Sequence, residues 1–215
     1  MYTHIIWDFN GTLADDVGVG IDSVNVLLKR RGLPLINSRD EYRGKFTFPV
    51  IDYYKSLGFD FERESFNNLA DEWVSLYKSK IPEMNLFPGV RETLAEITSR
   101  NPEIDNIIIS SSELTMMEHQ LRNFGIRDYF TEVRGLDNVL AGGKINLVKQ
   151  WSAANPAAVP LFIGDTTHDF EVSRAAENSC CILFTQGHGS ASSLKSCNVP
   201  LINSIPESLS YIFPD

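Results

Sequence analysis

At 215 residues, with 43% hydrophobic and 22% charged side chains, the chain has the composition of a folded globular protein, which excludes disordered and fibrous classes. A net charge of −9, with 19 Lys and Arg dispersed among 28 Asp and Glu, opposes nucleic acid and anionic membranes as partners. A small phosphorylated ligand fits that charge only where a lysine or a metal ion overrides it locally.

The first element is an apolar run, Thr3 to Trp7, that stops abruptly at Asp8 and the turn-prone Asn10-Gly11. This pattern predicts a buried strand with a carboxylate at its C-terminal end. No basic leader precedes it, and no apolar stretch approaches the ~20 residues of a membrane span, so the cytoplasm is the expected compartment. From about Asp15 to Met84 the periodicity turns helical, with Val24, Leu27 and Leu28, then Val50, Ile51 and Tyr54, then Phe66, Leu69, Trp73, Leu76 and Tyr77. Breaks at Gly32-Leu33-Pro34, Gly58-Phe59-Asp60 and Ile81-Pro82 divide it into about four helices.

Strand signals then return at Asn106 to Ile109, Glu132 to Arg134, Pro160 to Ile163, Cys180 to Phe184 and Val199 to Ile202. Helical patterns lie between them, at Val90 to Ser99, Leu114 to Phe124, Ile145 to Ala153 and Phe170 to Ala176, and a last helix is expected at the C-terminus. Strand alternating with helix predicts a parallel α/β sheet covered on both faces, a Rossmann-like three-layer core. Ligands bind such sheets outside the carboxyl ends of the strands, where Asp8, Ser110 and Asp165 are all expected. Cys180, Cys181 and Cys197 form no CxxC pair, so neither a zinc site nor a disulfide framework is indicated.

Asp8-Phe9-Asn10-Gly11-Thr12-Leu13 resembles the first motif of the haloacid-dehalogenase-like hydrolases, a strand ending in Asp-x-Asp-Gly-Thr. Ser110 after Ile107-Ile108-Ile109, Lys144, and Gly164-Asp165-Thr166-Thr167-His168-Asp169 resemble that family's later motifs, in the same order. The layout is most similar to the phosphoglycolate phosphatase and β-phosphoglucomutase branch. The resemblance implies a core of residues 1–14 and 85–215 carrying an all-helical cap domain of residues 15–84. It also implies Mg2+, a small phosphorylated metabolite as substrate, and an aspartyl phosphate formed on Asp8, which divides one difficult displacement into two easier ones. Asp8, Asp165 and the backbone carbonyl of Asn10 resemble the metal ligands, with Asp169 orienting a ligand water or Lys144. Ser110 and Lys144 resemble the groups that bind the phosphoryl oxygens, helped by backbone N–H groups at Ser111, and Thr12 belongs with the substrate contacts. In the cap, Tyr42-Arg43-Gly44-Lys45 looks like a specificity loop, in which Arg43 and Lys45 are candidates to bind a second anionic group or are solvated charges.

Position 10 departs from the phosphatase pattern, because an amide cannot exchange the proton that the family's second Asp moves. General acid–base catalysis typically contributes about 10²–10⁴-fold. Asn10 therefore leaves several readings open: slow phosphatase action, a substrate with a good leaving group, a replacement donor such as His168 or Asp15, or a substitution introduced to trap substrate. A phosphonatase-like or dehalogenase-like hydrolase, and a weakened binding or regulatory homologue, also remain. Monomer and homodimer are equally compatible with the sequence.

Overall fold

The computed structural model describes residues 1–136 and 143–214. The chain runs β1 (His4–Trp7), β2 (Ala14–Asp15), α1 (Val17–Arg30), α2 (Arg39–Lys45), α3 (Val50–Ser56), α4 (Phe66–Lys80) and β3 (Asn85–Leu86). It continues through α5 (Val90–Arg100), β4 (Asp105–Glu113), α6 (Leu114–Asn123), β5 (Glu132–Leu136), α7 (Gly143–Ala154), β6 (Pro160–Gly164) and α8 (Thr167–Ser173). The last elements are β7 (Cys180–Phe184), α9 (Ala191–Ser196), β8 (Leu201–Ile202) and α10 (Leu209–Ile212).

Strand alternation decides which face each core residue serves. Ile5 and Trp7 of β1, Ile108 of β4, Leu161 and Ile163 of β6, and Ile182 and Phe184 of β7 join one hydrophobic cluster. Their neighbours Ile6, Ile107, Ile109, Phe162, Cys181 and Leu183 join a second cluster on the opposite face. Helices α5 and α6 cover the first face with Leu94, Ile97, Met117 and Leu121. Helices α7, α8 and α9 cover the other with Val148, Trp151, Val172 and Leu194. The sheet is a parallel six-stranded one in the order β5-β4-β1-β6-β7-β8. This is the doubly covered, Rossmann-like architecture expected from the sequence. Trp7 sits at its centre, fully buried, with its indole N–H donating to Asn106 Oδ1 at 3.0 Å; truncating such a residue to alanine typically costs about 3–5 kcal/mol.

The helical insertion builds a hydrophobic cluster of its own from Val24, Leu27 and Leu28 of α1, Tyr42 of α2, Tyr53 and Tyr54 of α3 and Leu69 of α4. Ser38 and Ser65 cap α2 and α4 by accepting hydrogen bonds from Glu41 N–H and Asn68 N–H. The far end of α4 returns to the core, where Tyr77 packs with Trp7 and Phe9 in the first cluster.

Three details differ from the sequence expectation. Strand β4 continues past Ile109 to Glu113, with an irregular register between those residues. Strands β2 and β3 pair antiparallel, Ala14 with Leu86 and Asp15 with Asn85, and two residues apiece are too few to carry a periodicity signal. Helix α9 was not anticipated, because its Ala-Ser-Ser-Leu-Lys-Ser run buries only Leu194 and is set by the Ser190 cap.

Candidate active site

The acidic residues converge because β1 and β6 are adjacent and parallel, paired Trp7 with Ile163, so the loops leaving their carboxyl ends lie side by side. Asp8, Asp165 and Asp169 each offer a carboxylate oxygen, and these three oxygens lie within 4.8 Å of one another. Asp169 is delivered by the first turn of α8, where it completes a capping box with Thr166. Lys144 enters from the start of α7, and its Nζ donates to Asp8 Oδ1 and to Asp169 Oδ1, each at 2.5 Å. The Lys144 side chain is only 4% exposed, so its charge acts on both carboxylates with little screening by water.

Were all three carboxylates ionised, one ammonium would leave the cluster two negative charges in excess. Burial, with the neighbouring Asp169 and Asp165 charges, pushes the Asp8 carboxyl up to about 8 despite Lys144. Burial likewise raises Asp165 to about 6, against the pull of His188. Burial would raise Asp169 too, but the Lys144 charge and the Lys144 and Thr166 hydrogen bonds win, and its carboxyl lies below the usual range. Lys144 is raised, because Asp169 and Asp8 outweigh its desolvation.

The remaining predicted residues are placed as follows. Thr12, fully buried, donates from Oγ1 to Asp165 Oδ1 at 2.9 Å. Ser110 is buried at the end of the regular part of β4, where its hydroxyl donates to Ser112 Oγ and accepts from Ser112 N–H, both at 3.2 Å. Ser111 is exposed. Lys45 pairs with Glu41 one turn back on α2 at 3.1 Å. Arg43 reaches across to the core, where Nε donates to the Gly187 carbonyl at 2.8 Å and Nη2 to the Gln186 carbonyl at 2.5 Å. Of the two proposed proton donors, Asp15 pairs with Arg39 at 3.3 Å, and the His168 ring stacks on Phe48 with centroids 4.8 Å apart.

Asn10 is held at both ends of its amide. Its Nδ2 donates to Asp16 Oδ2 at 2.8 Å and to the Tyr77 hydroxyl at 2.5 Å, and its Oδ1 accepts from Ser112 Oγ at 3.0 Å. Tyr77 donates in turn to Asp16 Oδ2 at 2.9 Å. The other Asp16 oxygen meets His188 Nε2 at 2.9 Å, and His188 Nδ1 meets the Tyr42 hydroxyl at 2.8 Å. Burial would lower His188, yet the Asp16 charge and hydrogen bond raise it to about 9, so the ring is protonated at neutral pH and donates from both nitrogens. Asp16, also desolvated, is held below its ordinary range mainly by His188.

Asp16, Tyr42, Tyr77 and His188 carry this network; sequence reasoning assigned no role to Asp16 or His188, read Tyr77 as an apolar position of the helical insertion, and placed Tyr42 only within the specificity-loop segment. For His188 a signal existed: Gly187-His188-Gly189 follows the carboxyl end of β7, the same edge of the sheet from which Asp8 and Asp165 emerge. Asp16 gave no comparable signal, because an acid beside Asp15 at a helix start reads as a cap. Glycine is required at several points here, two of them against the Asp165 side chain. Gly11 has φ +76°, and a Cβ on it would meet the Asp165 carboxylate. A Cβ on Gly187 would collide with both Asp165 Oδ2 and the Gly11 carbonyl.

Comparison with known proteins agrees with this fold and residue pattern. The family profile described as haloacid dehalogenase-like hydrolase matches residues 5–183, and the chain belongs to that family of hydrolytic enzymes. It is 28% identical over 173 residues to a phosphoglycolate phosphatase of Synechococcus elongatus, covering 79% of this chain and 78% of that one. Among solved structures, a haloacid dehalogenase-like family hydrolase from Streptococcus pneumoniae superimposes with a TM-score of 0.82 at 22% identity, over 99% of both chains. Protein tyrosine kinase A of Mycobacterium tuberculosis gives 0.79 at 20% identity over 98% of both chains. At such identities the structural likeness defines the fold and leaves the reaction to be argued from the site. Among the described residues, no helix is long and apolar enough to cross a membrane.

Proposed function

We propose that this chain is a magnesium-dependent phosphatase that attacks a small phosphorylated metabolite with the Asp8 carboxylate, forming and then hydrolysing an aspartyl phosphate. The observation that carries the reading is the placement of Asp8 at a strand's carboxyl end, 2.5 Å from the Lys144 ammonium and grouped with Asp165 and Asp169. A nucleophilic carboxylate must meet a phosphoryl group that is itself anionic, so the site has to neutralise charge without blocking the attacking oxygen. Lys144 binds only Oδ1 of Asp8, which leaves Oδ2 for the attack on phosphorus.

The donor set fits a divalent cation. It consists of hard carboxylate oxygens, as magnesium prefers, and burial together with the neighbouring carboxylates makes ionised Asp8 and Asp165 costly, a cost that such an ion would offset. Both Asp169 oxygens are already engaged, one by Lys144 and one by Thr166 and the Asp165 N–H. The Asp165 oxygens also accept hydrogen bonds, from Thr12 and the His188 N–H, so charge makes the distinction: Lys144 holds Asp169 in its ionised form, whereas Asp8 and Asp165 are raised. In this reading Asp8 and Asp165, with the backbone carbonyl of Asn10, are the direct ligands, and Asp169 sets the position of Lys144. When bound, the ion supplies electrostatic stabilisation of the charge spread over the phosphoryl oxygens.

The helical insertion, residues 15–84, acts as the cap that screens this chemistry from water and selects the leaving group. The Synechococcus relative, a phosphoglycolate phosphatase, supports a short phosphorylated acid as the substrate. With an amide at position 10, the preferred leaving groups are those that need little help from a general acid. The test is a phosphate-ester screen with Mg2+ beside an Asp8→Ala variant. Turnover that vanishes in the variant supports the reading, and a screen without Asp8-dependent phosphate release ends it.

A further inference from the structure

The loop after β7 is clamped between the insertion and the catalytic carboxylates. On the core side, Gly187 lies so close to Asp165 and Gly11 that no larger residue fits. The next peptide donates its N–H from His188 to Asp165 Oδ2 at 2.6 Å, and the Gly189 N–H bonds to the Asp165 carbonyl at 3.2 Å. On the insertion side, Arg43 grips the carbonyls of the two preceding residues, Gln186 and Gly187, with Nη2 and Nε. Two successive carbonyls suit the planar guanidinium fork, whereas a lysine would meet them as a single point charge. Among the described residues, the one carboxylate paired with Arg43 is Asp40 at 3.8 Å, which is 97% exposed and competes weakly.

We infer that Arg43 is a positioning residue: it latches the helical insertion onto the Gln186-Gly187 peptides and thereby holds the His188 N–H against Asp165. A single peptide then links closure of the insertion to the placement of a catalytic carboxylate. The inner donors of the Arg43 fork are spent on this contact, so its function is to fasten the loop and not to bind a second anionic group of the substrate. The kinetic consequence rests on the phosphatase reading above, but the structural link does not.

The first experiment is amide hydrogen exchange on the full chain, without added metal or substrate, comparing wild type with Arg43→Ala and Arg43→Lys. The latch requires the His188 and Gly189 amides to exchange at least about tenfold faster in Arg43→Ala, and by a smaller factor in Arg43→Lys. The amides of β1 serve as an internal control for folding and should stay protected. Unchanged exchange at 188 and 189 overturns the inference. The second experiment measures kcat and KM with Mg2+ for 2-phosphoglycolate and for its uncharged amide analogue. A latch lowers kcat/KM for both substrates by the same factor, while loss confined to the carboxylate-bearing substrate would make Arg43 an anion ligand and overturn the inference. If wild type hydrolyses neither ester nor any other in an Asp8-dependent way, the phosphatase reading has failed, and the exchange result alone decides the latch.

Discussion

Asp16 accepts a hydrogen bond from the Asn10 amide at 2.8 Å, so the neutral residue in the first motif faces a carboxylate that is only 3% exposed. Asn10 is matched to this surrounding: the Asp16 and Tyr77 oxygens take its donor protons, and Ser112 supplies the hydrogen bond to its carbonyl. An aspartate at the same position would set two carboxylates against each other at that distance, and one of them would have to stay protonated or turn away.

Asn10→Asp alone is therefore expected to change kcat by less than about tenfold, or to lower it, and to reduce the melting temperature. Combined with Asp16→Ser, which removes the opposing charge, it should raise kcat toward the roughly 10²–10⁴-fold range of general acid–base catalysis. Steady-state kinetics on the two variants and the Asp16→Ser control decide this. A large gain from Asn10→Asp by itself would contradict it.

Lys144→Met should reduce turnover at least about 10²-fold, because it removes the buried charge held between Asp8 and Asp169, which in the proposed reaction offsets the charge of nucleophile and substrate. It also leaves Asp8 and Asp169 without their common partner, and breaking a buried pair in this way typically costs about 3–5 kcal/mol. Chemical denaturation in the absence of Mg2+ measures the second effect, and added Mg2+ should recover only part of it.

The raised carboxyls predict how a metal stabilises the fold. Asp8 and Asp165 titrate at about 8 and about 6 in the folded chain, above the ordinary carboxylate range, so their protonated forms favour folding. That contribution is complete below about pH 4 and is lost as pH rises through 6 and 8. A divalent cation that binds the ionised forms should therefore raise the melting temperature more at pH 8 than at pH 5. Thermal melts with and without Mg2+ at the two pH values test this, and Asp8→Asn should remove most of the difference.

His188 gives a second pH signature. Its folded value of about 9 exceeds the model-peptide value of ~6.5, so the stability of the His188–Asp16 pair is fully present below pH 6.5 and disappears as pH rises through 9. In metal-free protein, His188→Gln should flatten the decline of melting temperature between those limits. Because Asp8 and Asp165 contribute to the slope up to about pH 8, the deciding window lies between about pH 8 and 9, and a decline there that the substitution leaves unchanged would place its origin elsewhere.

The sheet was legible because each strand carries its own evidence: Ile5-Ile6-Trp7 and Leu161-Phe162-Ile163 are short apolar runs that stop at an aspartate or a glycine. The cluster of Asp8, Lys144, Asp165 and Asp169 was legible as a family pattern whose residues sit at strand ends and helix starts. The surroundings of Asn10 were not, because Asp16, Tyr77 and His188 come from three separate parts of the chain and meet only when the insertion folds onto the core. For the same reason Arg43 read as a free cation. Its partners are backbone carbonyls, which leave no trace in the sequence, and they lie more than 140 residues away.

The paired β2–β3 ribbon bears on how the insertion joins the core. Ala14 opposite Leu86 and Asp15 opposite Asn85 bring the departing and returning chain together as in an ordinary hairpin, so residues 16–84 leave and rejoin the core at one point, while Tyr77, Tyr42 and Arg43 make further contacts with it. That excursion contributes no strand to the order β5-β4-β1-β6-β7-β8. The strands that carry Asp8 and Asp165 thus form a frame to which the excursion adds no strand, while its residues Asp16 and Tyr77 return to hold Asn10.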